Sequence, residues 1–301
     1  MQTRTLGKTN LQISRLGLGL SEIGYGLTMA EEAQAAQVLN TALDMGINFL
    51  DTSACYNISE ELLGRAIAHR RDEYVLATKC GHVAGGYQGQ DWTPQTITDS
   101  IERSLKRLKT DHIDLVQFHS PDVADLEKDE NIQALLDARQ AGKTRFIGCS
   151  NDNEGAMWAV ESGIFDTLQT SYNLVDQAAR RDLLPKAKAK NMGVIIKRPI
   201  ANAAWGAETN PSNYAHTYFI RAKEMLAAGP IPGVPDDRIL LALGYVFAQD
   251  LADTMIVGTL NPRHLAANIE MVDSLLPIDE KVVEELNGRF DRVEDEWIQL
   301  R

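Results

Sequence analysis

Cysteine is scarce in this 301-residue chain. Cys55, Cys80 and Cys149 make an odd count with neither metal-binding nor redox spacing. That excludes a disulfide scaffold and a zinc ribbon; each thiol reads as a small buried residue near a strand end, in a reducing cytoplasm. Long apolar runs are also missing. The longest nearly apolar stretch, residues 239–248, has about half of the roughly 20 residues a spanning helix needs. The opening Met-Gln-Thr-Arg-Thr-Leu-Gly-Lys contains no signal-peptide core. No membrane association is expected. Positive charge is in deficit, with 30 Lys and Arg against 42 Asp and Glu and a net charge of −12. Nucleic-acid binding relies on neutralising phosphates with cations, so it is not expected either. A local basic pocket for an anionic cofactor stays compatible with that balance.

Other absences concern motifs. Gly17-Leu18-Gly19 lacks the third glycine of a dinucleotide fingerprint. Gly142-Lys143-Thr144 resembles the end of a phosphate loop, but Asp137 stands where its first glycine belongs. The six histidines form no i, i+4 pair around a Glu, so no metal site is expected.

What is present is a rhythm. Apolar residues make up 44% of the chain, enough for a full-length core, and no compositional break or linker interrupts it. Strand-like runs are expected at 14–20, 47–50, 74–79, 113–118, 145–149, 167–170, 193–197 and 254–257. Helices are expected at 30–45, 60–69, 93–108, 131–141, 153–162, 180–190, 235–250 and 262–274. Eight β/α repeats in one domain, residues 1–301, point to a closed (β/α)8 TIM barrel, class α/β. Thr3–Thr5 and residues 11–13 flank a turn and are expected to form an N-terminal β-hairpin plug. Val282, Leu286, Phe290, Val293 and Trp297 recur at helical spacing, predicting a C-terminal helix packed on the barrel wall. Residues 201–236, rich in Asn, Gly and Pro, read as a long loop over the C-terminal face.

Four polar residues, Asp51, Tyr56, Lys79 and His119, close three successive apolar runs on that face, where barrel enzymes carry their sites. Tyr56 is the natural proton donor. Its ordinary pKa near 10 is too high for easy donation, and a nearby Lys79 is expected to lower it. Asp51 supplies the lysine's counter-charge, and His119 is expected to orient a carbonyl as neutral imidazole. None of these groups supplies electrons, so a nicotinamide hydride donor is implied.

These motifs resemble the aldo-keto reductases, NAD(P)H-dependent carbonyl reductases on a (β/α)8 barrel. The resemblance rests on Arg4-Thr5-Leu6-Gly7-Lys8-Thr9, Gly17-Leu18-Gly19, Asn48 through Ser53 with Tyr56, Lys79, Gln117-Phe118-His119, and Gly142 through Asn151. It covers residues 3–268. By that resemblance Ser150, Asn151 and Gln169 hold the nicotinamide carboxamide, while Gly258, Thr259 and Asn268 serve the adenosine phosphate end. Arg263 lies beside them.

Three departures stand out. Where the family carries Tyr-Ser-Pro, this chain reads Lys197-Arg198-Pro199, expected either to clamp an anionic ligand group or to pair with a neighbouring carboxylate. Gly258 and His264 stand where the family's basic pair grips a 2′-phosphate. NADP(H) is favoured by the resemblance and NAD(H) stays open. Tyr25 is a substitute for the missing aromatic after the first strand, and Trp92 and Trp205 are candidates for lining the substrate pocket. Three functions are compatible: a reductase of small aldehydes or ketones, a sugar or polyol dehydrogenase running in reverse, and a cofactor-sensing interaction subunit. Oligomeric state is left open.

Overall fold

A twisted ring of short strands, buried on both faces, organises the molecule. The computed structural model describes residues 1–297 and Leu300; Ile298, Gln299 and Arg301, part of the expected tail, lie outside the described residues. Two strands, β1 (Thr3–Thr5) and β2 (Gln12–Ser14), pair antiparallel. The ring follows with β3 (Leu16–Gly19), β4 (Phe49–Asp51), β5 (Val75–Cys80), β6 (Ile113–His119), β7 (Thr144–Ser150), β8 (Thr167–Ser171), β9 (Gly193–Lys197) and β10 (Thr254–Gly258). All neighbours are parallel, and β10 pairs with β3 to close the barrel. The expected first strand is thus split: Ser14 ends the hairpin and the barrel begins at Leu16.

Two cores result. Leu6, Leu11 and Ile13 of the hairpin region meet Phe49, Val75, Ala77, Leu115 and Ile195 inside the barrel. The hairpin therefore plugs one end, and the interior is filled rather than open. A larger cluster fills the space between the strands and the surrounding helices. Local chemistry sets the helix starts: Thr93 Oγ1 accepts from Thr96 N and Pro94 occupies the first helical position of Pro94–Leu108.

Among the described residues the structure adds three α-helices to the expected pattern, the shortest being Val123–Leu126. Ser21–Gly26 follows β3 directly. His216–Leu226 lies within residues 201–236 and buries Tyr218, Phe219, Ala222 and Met225, so that segment is not merely a loop. The tail helix Glu280–Val293 buries Val282, Leu286 and Phe290 against the barrel. Among the described residues no helix is long and apolar enough to cross a membrane.

Candidate active site

Parallel register brings the predicted residues into one layer. Gly19 stands opposite Asp51, Lys79 opposite Gln117, and His119, Ser150 and Gln169 form one row across β6, β7 and β8. Every one of these positions lies at the C-terminal rim. There a cavity of about 700 Å³ is lined by Asp51, Tyr56, His119, Ser150, Gln169, Lys197, Arg198 and Gly258.

Lys79 is buried and donates to Asp51 Oδ2 at 2.5 Å and to Thr52 O at 2.8 Å. Burial disfavours its charge, but Asp51 and Tyr56 outweigh that and raise its pKa. Asp51 Oδ1 accepts from Gln169 Nε2 at 2.8 Å and Gln117 Nε2 at 3.3 Å, and Ser150 Oγ donates to Gln169 Oε1 at 2.8 Å. One hydrogen-bonded chain therefore joins the carboxylate to Ser150.

Tyr56 corrects an expectation. Lys79 Nζ lies 4.9 Å from its ring centroid, yet the phenol's pKa is pushed up to about 12. Burial raises it, Lys79 lowers it by less, and Asp51 adds to the rise. The lysine's charge is largely spent on Asp51. The phenol accordingly keeps its proton across the physiological range, and here it is a weaker acid than a free tyrosine.

His119 ends β6 beside Tyr56. Its pKa is lowered well below the usual value by burial and then by the positive charge of Lys79 and Lys197. Its ring packs edge-on to Tyr56 at 5.6 Å. Ser53 Oγ and Cys55 Sγ each lie 3.2 Å from Nδ1, and Ser53 Oγ already accepts from Cys55 N. Either the Ser53 hydroxyl or the Cys55 thiol can donate to Nδ1, an arrangement compatible with the imidazole proton on Nε2. His82 Nε2 donates to His119 O at 2.7 Å and pins the end of β6.

Lys197 does not stand free as a clamp. Its ammonium pairs with buried Asp152 at 3.0 Å, and Asp152 also accepts from Thr170 Oγ1 and Ser171 N. Burial and the like charges of Arg198 and Lys79 lower the Lys197 pKa despite that partner. Arg198 lies 3.9 Å from Asp152 and donates from Nε to Tyr214 Oη at 2.7 Å. Arg198, Ala201, Asn202 and Ala203 all hold positive φ, between 47° and 61°. Such backbone strain in non-glycine residues clusters at functional sites.

The remaining predicted residues divide. Asn151 lies beside the cavity with its amide donating to Pro121 O and accepting from Asp152 N. Thr259 caps the turn into helix Pro262–Glu270, Asn268 is buried within that helix, and Arg263 is exposed on it. None of these three lines the cavity. Trp92 and Trp205 are both buried and line no part of it either; Trp92 packs on Phe118 and His82. Tyr25 does line it, 65% exposed, with its hydroxyl donating to Cys55 O. Ser21 and Glu22, from the unanticipated helix, complete that wall. Gly24 of the same helix has no room for a side chain: a Cβ there would sit 2.1 Å from Tyr56 O.

A phenol, an imidazole and a carboxylate paired behind it with Lys79 thus border one cavity at a barrel rim. The Aldo/keto reductase family profile matches residues 15–288. The chain belongs to the aldo-keto reductases. It is 28% identical to the L-galactose dehydrogenase of Arabidopsis thaliana, covering 98% of this chain and 96% of that one. It is 34% identical to the 6-dehydroglucose reductase of Novosphingobium aromaticivorans over 86% of this chain and 88% of the other. The holo form of an aldo-keto reductase from Bacillus halodurans superposes with a TM-score of 0.80, at 26% identity and 96% coverage of both chains. This aldo-keto reductase is an NAD(P)H-dependent oxidoreductase on the family's (β/α)8 barrel.

Proposed function

We propose that the protein reduces a small aldehyde or ketone to an alcohol, with Tyr56 as the general acid. The observation that supports this reading is the protonated, buried phenol facing the same cavity as a neutral His119. The nicotinamide cofactor supplies the hydride. His119 presents its Nε2 proton to the substrate carbonyl oxygen and orients it. Tyr56 delivers its proton to that oxygen, and Lys79, held by Asp51, stabilises the phenolate left behind.

The residues suit a nicotinamide dinucleotide. Ser150 and Gln169 offer hydroxyl and amide groups at the cavity wall, as a carboxamide requires. Asn151, Thr259, Arg263 and Asn268 are carried as outer contacts on the adjacent loop and helix. Lys197 and Arg198 both line the cavity and both lie near Asp152, so an anionic group would meet them as cations already engaged by that carboxylate. At the phosphate end the space beside Gly258 is taken by Glu22, whose carboxylate a Cβ would meet at 1.7 Å. That local charge gives no special grip on a 2′-phosphate, and NADP(H) and NAD(H) are both retained.

A second direction uses the same site. The polar wall of Ser21, Glu22, Ser120, Asn202, Ser212 and Tyr214 suits a hydroxylated substrate, and two relatives act, by name, on sugars. Oxidation of a sugar or polyol with NAD(P)+ is the alternative. One assay tests both: NADPH and NADH oxidation against an aldehyde panel, and NAD(P)+ reduction with sugars, for wild type and Tyr56→Phe. The variant is expected to lose about 10²–10⁴-fold in kcat. Undiminished turnover would overturn the assignment of Tyr56.

A further inference from the structure

The loop after β5 carries a histidine that the proposed reaction does not use. The His82 ring stands edge-on to both His119 and Trp92, at 5.6 and 5.2 Å. Its two nitrogens each face an oxygen. Nε2 lies 2.7 Å from His119 O, and Nδ1 lies 3.1 Å from Asp91 Oδ2. A carbonyl oxygen only accepts, and so does an ionised carboxylate. Burial works against the Asp91 charge, but the Val83 amide and His82 outweigh it and hold the carboxyl below its usual range. Asp91 is therefore a carboxylate. Both bonds are made together only when His82 carries a proton on each nitrogen.

The surroundings hold this arrangement from two sides. Asp91 Oδ1 accepts from Val83 N at 2.6 Å, and Trp92 N donates to Gly81 O at 2.9 Å, so the loop closes on itself. Trp92 is buried against Phe118, the residue before His119, and its carbonyl accepts from Asn131 Nδ2 at 3.1 Å. On the far side of His119, Ser120 lines the catalytic cavity with φ at 55°. Its amide donates to Ser150 O at 2.8 Å. The His119 carbonyl thus sits between a buried strand and a strained turn, where a fixed main chain sets the direction of the imidazole.

Loss of one proton from His82 forces a choice. A ring protonated on Nδ1 keeps Asp91 and turns a lone pair toward His119 O. A ring protonated on Nε2 keeps the carbonyl and turns a lone pair toward the carboxylate. The titratable groups facing His82 are Asp91 in its own loop and His119 on β6, with Lys79 and Lys197 beyond the latter. Burial, Lys79 and Lys197 keep the His119 ring neutral, and the charge on His82 adds to them. The His82 side chain is 32% exposed, so it exchanges protons with solvent. We propose that His82 is a positioning residue: as the doubly protonated partner of Asp91 it fixes the main chain of His119, and turnover declines when it loses a proton. The proposal rests on His119 orienting the substrate carbonyl.

Kinetics from mildly acidic to alkaline pH, on wild type, His82→Phe, His82→Arg and Asp91→Asn, test this. His82→Phe keeps a flat ring and loses both bonds, so kcat is expected to fall about tenfold to a hundredfold. The alkaline decline caused by His82 should vanish from its profile. Arginine offers several donors and keeps its charge, so His82→Arg is expected to recover most of the lost rate and hold it at alkaline pH. Asp91→Asn should move the alkaline decline toward lower pH. Nitrogen-15 NMR of the labelled imidazoles reads the same state without turnover: His82 should show two protonated nitrogens at neutral pH. The carbon-13 shift of the His119 carbonyl should change as that signature disappears. A singly protonated His82 at neutral pH, or pH profiles of the same shape in wild type and His82→Phe, would overturn the proposal. So would a loss in His82→Phe that His82→Arg does not recover, with the profile unmoved in Asp91→Asn. The NMR link and the Tyr56→Phe assay fail independently, which separates this proposal from the reading of the catalytic step.

Discussion

Two buried lysine–carboxylate pairs stand at the barrel rim, and they respond to burial in opposite ways. Lys79 with Asp51 ends up with a raised lysine pKa, and Lys197 with Asp152 with a lowered one. Desolvation weakens both ammonium groups. What differs is the neighbours: Lys79 also faces the Tyr56 phenol, whereas Lys197 faces Arg198 and Lys79 itself. A salt bridge therefore does not define the state of a buried charge; the next layer of charges does.

Substituting each lysine separates the pairs most strongly. Lys79→Met is expected to lower kcat about 10²–10⁴-fold, because the phenolate loses its stabiliser. It also leaves buried Asp51 without its cation, held only by the Gln169 and Gln117 amides, at a cost of about 3–5 kcal/mol in stability. Lys197→Met is expected to keep kcat within about tenfold. It costs only about 1–3 kcal/mol, since Asp152 retains its donors from Thr170 and Ser171. Steady-state kinetics with denaturant unfolding checks both. Equal losses of kcat would erase the distinction between a pair that serves the reaction and a pair that supports the wall.

The next effect concerns the imidazole between them. Ser53→Ala/Cys55→Ala is expected to reduce kcat about tenfold, by freeing His119 to carry its proton on Nδ1. Nitrogen-15 NMR of the labelled imidazole should show the Nε2–H tautomer in wild type and a mixture in the variant. Ser53→Thr should restore both the tautomer and the rate, a rescue that a purely structural defect would not give. A pure Nε2–H signal in the double variant would refute this role.

The smallest effect lies at alkaline pH. A lysine whose folded pKa is depressed binds fewer protons folded than unfolded between that pKa and 10.5. Lys197 therefore adds stability as pH rises through that window. Lys79, whose folded pKa is raised, contributes stability that is complete below 10.5 and is lost as pH rises through its folded value. Denaturant midpoints measured from pH 8 upward should show Lys197→Met losing ground relative to wild type as pH approaches 10.5. A difference constant with pH would contradict the assignment.

Much of this was legible in the chain, for physical reasons. Strand Gly193–Lys197 and helix Asn153–Ser162 have the expected bounds, because a fully buried parallel strand and a glycine-terminated helix leave sharp signatures. The proposed catalytic tetrad could be read because Asp51, Lys79 and His119 each close or adjoin an apolar run and Tyr56 follows in the loop after Asp51. Helix Ser21–Gly26 could not: six residues with two glycines carry no periodicity, and contacts to Tyr56 and Cys55 hold it. Asp152 was equally hidden. It occupies the position before helix Asn153–Ser162, where a carboxylate reads as a cap, yet its side chain caps nothing and turns to Lys197 and Ser171 instead. The opposing shifts of Tyr56 and Lys197 depend on distances between strands far apart in sequence, which no local pattern encodes.

The close approach of Gly24 to Tyr56 O has a consequence beyond packing. The depth at which the phenol sits is gauged against the main chain of a helix, so a residue with no chemistry of its own acts as a mechanical stop for the proposed proton donor. Adding a single methyl group at that stop would move the donor without touching any polar group of the site. Change at position 24 is therefore tied to change in the segment carrying Tyr56, and the two must shift in step for the site to keep its alignment.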